Sequence, residues 1–224
     1  MDNIVGSRIG ISKFETKTWA SKKINLNLTQ GQIALIAGSL LGDGTMRIGQ
    51  GAINANFKVE HGLEQKDLVF AKYQILKPWV FTQPKISFRY HEDGSKYQKS
   101  WWFRTIRHPK LTEIQKLFYP KGKKVVPKNI GTLLNKLALA WWIMDDGCYN
   151  KSKIDISTYS FTLKEIQSLL RVMSTKFKIE GNFYRDRDKG YRRYFKASET
   201  KKLVKLIKPH MVDSIKYKVG YSQS

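Results

Sequence analysis

The chain is poor in cysteine: its 224 residues include only Cys148. A single thiol cannot form an internal disulfide, and it cannot supply the several thiolates of a cysteine-based zinc site. Small secreted domains held together by disulfides and cysteine zinc fingers are therefore excluded. We expect the protein to work in a reducing compartment.

Long apolar segments are also missing. The longest apolar runs are Ile33–Leu41 and Leu137–Met144, and both are well short of the roughly 20 residues that cross a bilayer as a helix. No apolar segment of the secretory type follows Met1. We therefore expect neither a secretory signal nor a membrane partner.

Acidic residues are scarce as well. Asp and Glu number 18 against 41 Lys and Arg, which gives a formal net charge of +23. Positive charges in such excess repel one another unless a polyanion neutralises them. A basic surface that serves only solubility is the simpler interpretation. Phosphate backbones bind surfaces of this kind, however, so the charge favours a nucleic-acid-binding protein.

Two apolar runs end in a similar acidic pattern, which indicates an internal repeat. The first is Ile33-Ala-Leu-Ile-Ala-Gly-Ser-Leu-Leu-Gly-Asp-Gly44, and the second is Leu137-Ala-Leu-Ala-Trp-Trp-Ile-Met-Asp-Asp-Gly147. After each run the pattern predicts a hairpin, an amphipathic helix, a second basic hairpin and a short helix. Period-two alternation after Ile53, the Asp93-Gly94 turn and the Thr162–Glu165 capping pair support these elements.

The predicted hairpins are Thr45–Ile48 with Ile53–His61, Pro84–Arg104, Cys148–Tyr149 with Lys153–Ser160, and Gly181–Lys196, and the predicted helices after them are Leu63–Leu76, His108–Phe118, Thr162–Phe177 and Glu199–Ile207. The fold class is thus α+β, with two pseudo-symmetric αββαββα halves. We place an N-terminal extension at residues 1–30, the first half at 31–120, a linker at 121–130 and the second half at 131–224.

The apolar runs predict two helices that pack side by side. Small residues such as Ala37, Gly38 and Ala140 allow two helix backbones to approach closely. If the helices are parallel, Asp43 and Asp146 meet at their ends and repel each other unless a cation lies between them. Mg²⁺ suits ligation by one or two carboxylates. The alternative is that each Asp-Gly only ends a helix, but acid at a helix C-terminus opposes the macrodipole.

The two motifs resemble a known signature. Ile36-Ala-Gly-Ser-Leu-Leu-Gly-Asp-Gly44 and Leu139-Ala-Trp-Trp-Ile-Met-Asp-Asp-Gly147 are similar to the two copies of the LAGLIDADG sequence in single-chain homing endonucleases. The layout agrees over about residues 31–220. Ser39 departs from the signature, and so does Trp141, which stands in place of glycine and predicts a less symmetric interface. The resemblance implies a central pair of LAGLIDADG helices and two saddle-shaped antiparallel sheets that bind DNA.

The resemblance also implies a metal-dependent phosphodiesterase. Asp43 and Asp146 would bind divalent ions, Mg²⁺ with Mn²⁺ as a substitute, and the backbone carbonyls of Gly42 and Asp145 would add ligands. Each acid would serve one DNA strand, and the products would carry 3′ overhangs. The metals would activate water and stabilise the charge on the scissile phosphate.

Further catalytic candidates come from the same resemblance. Lys124 lies in a Lys-Lys-x-x-Pro segment, and Lys218 follows a tyrosine in the matching element of the other half. His61 and Gln65 lie in a stretch similar to one that positions water, and Tyr159 is the equivalent of His61 in the second half. Each lysine can equally be a solvated surface charge.

Polar and basic positions on the predicted strands can read DNA, because a β-ribbon fits the major groove. The candidates are Arg47, Asn54, Asn56, Lys58, Lys85, Arg89, Arg104, Lys153, Asp155, Arg185, Arg187, Arg192 and Lys196. These positions differ between the halves, so we expect a pseudo-palindromic or asymmetric target. We also expect binding to double-stranded DNA as a monomer, with no protein partner.

Two alternatives share the charge and the fold. One is an RNA maturase that aids intron splicing, and the other is a non-catalytic DNA-binding regulator. Loss of the acids would favour the maturase, whereas the regulator would keep them as helix stops. Both Asp43 and Asp146 are present. The resemblance places the protein in a mitochondrion or chloroplast, encoded by an intron, or in the bacterial cytoplasm.

Overall fold

The computed structural model describes residues 25–221, so most of the predicted extension at residues 1–30 lies outside the described residues. The first half contains α1 (Gln30–Leu41), β1 (Thr45–Arg47), β2 (Asn56–Gly62), α2 (Lys66–Leu76), β3 (Lys85–Tyr90), β4 (Lys96–Arg104) and α3 (Pro109–Phe118). The second half contains α4 (Ile130–Leu133), α5 (Lys136–Asp146), β5 (Gly147–Asn150), β6 (Lys153–Ser157), α6 (Leu163–Phe177), β7 (Asn182–Arg185), β8 (Tyr191–Phe195) and α7 (Ala197–Ile207). Short 3₁₀ segments include Leu63–Gln65 and Asp213–Val219.

The strands form two four-stranded antiparallel sheets with the same internal order. One sheet runs β1-β2-β4-β3 and the other runs β5-β6-β8-β7. Each half therefore repeats one helix–hairpin–helix–hairpin–helix plan, with α4 as an additional short helix. The predicted α+β fold with two pseudo-symmetric halves is confirmed.

Side-chain caps mark the start of three helices. Thr29 and Gln32 form a capping box at the start of α1, and Thr162 and Glu165 form the predicted one at the start of α6. The side chain of Asn135 caps α5 by accepting a hydrogen bond from the Ala138 backbone. These side chains satisfy backbone N–H groups that a helix N-terminus leaves unpaired.

The motif helices α1 and α5 form the centre of the core and are buried on nearly every side. Their backbones are in close contact at Gly38: a Cβ added there would lie only 2.2 Å from the carbonyl oxygen of Ala138. One turn further on, a Cβ added at Gly42 would lie 2.6 Å from the Cβ of Asp145. Contacts that advance in the same direction along both helices mean that the helices are parallel. The predicted side-by-side packing is confirmed.

Strand boundaries shift relative to the sequence prediction in two hairpins. Ala55, Phe57 and Val59 alternate into the core as expected, but Ile53 is 88% exposed and lies in the connection before β2. The turn between β5 and β6 is formed by Lys151 and Ser152, which both have positive φ, rather than around Asn150. A two-residue turn with positive φ at both positions matches the twist of antiparallel strands.

Arg193 of β8 is an unexpected member of the core, with none of its surface exposed. Its guanidinium contacts the sulfur of Met173 and lies 4.8 Å from the ring centre of Trp142. Its Nε and Nη1 atoms have no hydrogen-bond partner within residues 25–221. Burial lowers the pKa of Arg193 to about 9.

No helix in the described part of the chain has the length and apolar character needed to cross a membrane.

Gly38→Ala should destabilise the protein by about 1–3 kcal/mol, because the added methyl group collides with the backbone of α5 and the two helices must separate. Gly31→Ala is the matched control, since a Cβ there meets only the Thr29 hydroxyl at 3.9 Å. Chemical denaturation of both variants measures the difference. Equal stability of the two would contradict the close helix contact.

Arg193→Met should stabilise the protein by about 1–4 kcal/mol at pH 7, because it removes a buried charge that has no carboxylate partner among residues 25–221. The folded pKa lies below the ordinary value of 12.5, so the penalty is fully present below about pH 9 and declines as the pH rises further. Thermal unfolding measures the gain. The exposed Arg171→Met on α6 should change stability by no more than about 0.5 kcal/mol.

Candidate active site

The C-terminal ends of α1 and α5 meet and bring the two motif acids to one place. Asp43 follows α1 directly after Gly42, and Asp146 is the last residue of α5. Position 42 must be glycine, because any side chain there would occupy the space of the Asp145 side chain. The first motif has glycine at position 42 where the second has aspartate at position 145, and this difference makes the two ends complementary.

Asp43 faces solvent with half of its side-chain surface exposed. Partial burial raises the pKa of Asp43, but a hydrogen bond and an electrostatic attraction from His61 outweigh that effect, and Lys72 and Lys218 lower the pKa further. The net shift is downward from the ordinary value. This carboxylate is therefore stabilised in its charged form.

Asp146 shows the opposite behaviour. Burial raises its pKa first, the negative charges of Asp43 and Asp145 raise it further, and the result is about 8 despite nearby lysines. Two carboxylates in electrostatic contact disfavour each other's charged form. This is the repulsion that a divalent cation between them would relieve.

Two lysines cap the ends of the motif helices in matching ways. The Lys124 ammonium donates to the carbonyl oxygens of Gly42 at 2.7 Å and Gly44 at 2.9 Å. The Lys218 ammonium donates to the carbonyl oxygens of Met144 at 2.7 Å and Asp145 at 2.6 Å. Cations at these positions offset the negative end of each helix dipole, which the adjacent acids would otherwise aggravate. Burial is the first cause that lowers the pKa of both lysines, and the nearby acids oppose it.

The structure thus brings both predicted lysines to the predicted acids. The carbonyls of Gly42 and Asp145, which the resemblance assigns to metal, accept hydrogen bonds from these lysines. A carbonyl oxygen has two lone pairs, so such a bond leaves one for another partner.

A buried polar group beneath the acids was not expected from the sequence. Lys72 of α2 has no exposed surface, and its ammonium lies 2.5 Å from Asp145 Oδ1 and 3.1 Å from His61 Nε2. The other nitrogen of His61, Nδ1, lies 3.5 Å from Asp43 Oδ2. The second oxygen of Asp145, Oδ2, is buried without a hydrogen bond in the described part of the chain.

The sequence contains one indication that Lys72 is buried. It lies four residues after Leu68 and four before Leu76, on the apolar face of α2. A lysine on that face must find a partner inside the core or reach solvent.

Gln65 and Tyr159 make hydrogen bonds to residues other than the motif acids. The Gln65 amide donates across the halves to the Tyr217 hydroxyl at 3.5 Å. Tyr159 follows β6, and its hydroxyl donates to Asp186 near the β7–β8 turn. His61 and its second-half counterpart therefore have different surroundings.

The donor set fits a cation held jointly by protein and substrate. The carboxylates of Asp43 and Asp146 are hard oxygen ligands in mutual repulsion. Among residues 25–221 no group of three or more His, Cys, Asp or Glu side chains is arranged to hold a metal ion. Mg²⁺ commonly takes one or two carboxylates and completes its shell with phosphate and water.

The first sheet carries a cationic groove that begins at Asp43. It contains Arg47, Asn56, Lys58 and Arg104 of the predicted set, with Lys99 and Arg107, which sequence analysis missed. Lys58 and Arg104 lie directly opposite each other on β2 and β4. Lys85 and Arg89 are four residues apart on β3, so their side chains lie on the same side of the strand. Asn54 precedes β2, and its side-chain oxygen accepts a hydrogen bond from the Thr112 hydroxyl of α3.

Glu60 fixes two of these cations. Its carboxylate accepts hydrogen bonds from Lys58 at 2.5 Å, Lys99 at 2.9 Å and Ser100 at 2.6 Å. Burial raises the pKa of Glu60, but these bonds outweigh it and hold the value at about 2. The groove is therefore preorganised before any ligand enters.

The second sheet brings together part of its predicted set. Lys153, Asp155 and Arg192 lie on the side opposite the buried Ile154 and Ile156. Three other predicted residues lie elsewhere. Arg185 alternates onto the same side as the buried Arg193, Arg187 lies in the β7–β8 turn with φ 46°, and Lys196 precedes α7.

Comparison with known proteins agrees with this architecture. The LAGLIDADG DNA endonuclease family model matches residues 33–203. DNA endonuclease I-ChuI of Chlamydomonas applanata is 33% identical over 211 residues, covering 87% of this chain and 97% of that protein. Cytochrome b mRNA maturase bI2 of Debaryomyces hansenii is 32% identical over 206 residues, covering 89% and 78%.

Among solved structures, the homing endonuclease I-WcaI bound to its DNA recognition sequence superposes with a TM-score of 0.85. The match covers 96% of this chain and 97% of that one, at 20% identity, so it supports the fold. The family match, the two curated relatives and the paired acidic helix ends lead to one conclusion: the chain belongs to the LAGLIDADG DNA endonuclease family.

Proposed function

We propose that this protein is a site-specific homing endonuclease that cuts both strands of a long, pseudo-palindromic or asymmetric DNA target. The observation that carries the proposal is the junction of Asp43 and Asp146 beside cationic, strand-built surfaces. A duplex lying along the sheets would bring its phosphates to the acidic pair. Hydrolysis of one bond in each strand would leave 3′ overhangs.

The two sheets would supply sequence recognition. Strands present side chains of the right size to the major groove, where base edges differ. Arg47, Lys58 and Arg104 would contact DNA from the first sheet, and Lys153 and Arg192 from the second. The two surfaces are not equivalent, which favours a target with imperfect symmetry.

The acidic pair would hold divalent cations, with Mg²⁺ as the natural choice. Bound there, such an ion supplies Lewis-acid stabilisation of the phosphate charge and promotes ionisation of the attacking water. The chain's own residues do the rest of the work. Asp43 and Asp146 would each serve one DNA strand. Lys124 and Lys218 would offset the negative charge at the helix ends.

The relatives support this assignment. I-ChuI is named as a DNA endonuclease, and I-WcaI was solved with its DNA recognition sequence. An endonuclease of Dictyostelium discoideum, 36% identical over 135 residues, is named as intron-encoded. We place this protein in the same setting, encoded by an organelle intron. Two motifs in one chain complete the acidic pair without a second subunit, so the active form would be a monomer.

Intron RNA maturation is a second candidate, because bI2 of Debaryomyces hansenii is named as an mRNA maturase. The charge and the fold suit both activities. Intact acids favour the nuclease, since RNA binding alone does not require them.

Asp43→Asn and Asp146→Asn should each lower double-strand cleavage by at least about a hundredfold, because each removes a carboxylate from the acidic pair. The substrate is a plasmid library with a long randomised segment, and sequencing of the new ends reports the target and the overhang. Cutting is expected in Mg²⁺, and binding with little cutting in Ca²⁺.

Asp93→Asn, in an exposed hairpin turn, is the matched control and should cut normally. If the Asp43 and Asp146 variants also cut normally, the site assignment is wrong. Binding without any cutting by the unaltered chain in Mg²⁺ would favour the maturase or the regulator instead.

Arg104→Gln should make DNA binding less dependent on salt, because one phosphate-neutralising charge is lost from the first-sheet groove. The slope of log affinity against log salt concentration should become shallower by about 0.9 in Ca²⁺ with a duplex of arbitrary sequence. Lys116→Gln, exposed on α3, should leave the slope unchanged. Equal slopes for both variants would remove this groove from the DNA interface.

A further inference from the structure

Lys72 has a position that neither solubility nor direct DNA contact explains. Its side chain is fully buried, so it cannot touch a phosphate. A buried ammonium destabilises a protein unless it is paired and hydrogen-bonded. Lys72 has both kinds of partner, the Asp145 carboxylate at 2.5 Å and the His61 ring at 3.1 Å.

The chemistry of these partners fixes where the His61 proton lies. An ammonium group has three protons and no lone pair, so it can only donate to His61 Nε2. A neutral imidazole has one protonated nitrogen and one acceptor. The proton must therefore be on Nδ1, the nitrogen that faces Asp43 Oδ2 at 3.5 Å.

One buried cation thereby connects the two motifs. Through His61 it reaches Asp43 after the first motif helix, and directly it holds Asp145 at the end of the second. Lys72 belongs to α2 of the first half, and Asp145 extends toward it through the space left by Gly42. Lys72 thus holds the two helix ends together from inside the core, where it does not contact the substrate.

We infer that Lys72 is a positioning residue, which holds His61 as its Nδ1-protonated tautomer and fixes the relative placement of Asp43 and Asp145. Both His61 nitrogens are engaged, so the ring orients Asp43 rather than an attacking water. The expected effect of Lys72 on cleavage rests on the proposed nuclease function. The tautomer itself is a property of the protein without metal or DNA.

Nitrogen-15 NMR of the histidine side chains tests the tautomer in the full-length protein without metal or DNA. The chain has four histidines, and His61→Asn identifies the His61 signals by their loss. We expect Nδ1 to be the protonated nitrogen in the unaltered chain. Lys72→Met should release Nε2, so the Nδ1-protonated pattern is lost. An Nε2-protonated ring in the unaltered chain would overturn the inference, whatever the result for cleavage.

A charge-balanced variant separates positioning from folding. Lys72→Met alone leaves Asp145 buried without its cation and should lower the melting temperature, whereas Lys72→Met with Asp145→Asn removes both charges and should recover most of the loss. The double variant should still bind duplex DNA in Ca²⁺ but cut at least about tenfold more slowly in Mg²⁺, because the His61–Asp43 arrangement is not restored.

Lys77→Met, exposed at the end of α2, is the control and should fold and cut like the unaltered chain. Full cleavage by the double variant would show that Lys72 stabilises the fold only. Absence of cutting by the unaltered chain and by every variant, with the expected NMR result, would reject the nuclease assignment and leave the tautomer assignment intact.

Discussion

The backbone contact between α1 and α5 is the constraint on which the rest of the molecule depends. Gly38 lets the carbonyl of Ala138 approach to a distance that no side chain permits, and Gly42 leaves room for the Asp145 side chain one turn later. Parallel helices at this separation must place their C-terminal residues together. The acidic pair is therefore a consequence of helix packing.

Two acids at two helix ends repel each other and oppose the helix dipoles, and three lysines offset this unfavourable charge. Lys124 and Lys218 neutralise the carbonyl ends of the helices from the sides, and Lys72 neutralises Asp145 from within the core. Asp146 still has a strongly raised pKa. Its burial and the negative charges of Asp43 and Asp145 outweigh the nearby lysines.

The two halves share a plan but differ in chemistry. In the first half, His61 links Asp43 to a buried cation, and Glu60 holds two lysines of the groove. In the second half, Tyr159 pairs with Asp186, and a buried arginine, Arg193, takes a core position behind the sheet. A duplicated fold thus presents two unlike surfaces.

The sequence by itself determined the fold plan and the acidic pair. Hydrophobic period, capping residues and the repeated motif are local signals, and they place α1, α5, Asp43 and Asp146 correctly because each depends on only a few neighbouring residues. Tertiary structure decided what local signals cannot encode. The Lys72–Asp145 contact joins residues far apart in the chain, the bond from Thr112 draws Asn54 to α3, and Arg193 is buried while its neighbour Arg192 lies on the opposite side of β8. Alternation along a strand assigns residues to two sides, but only packing of the helices decides which side becomes the core.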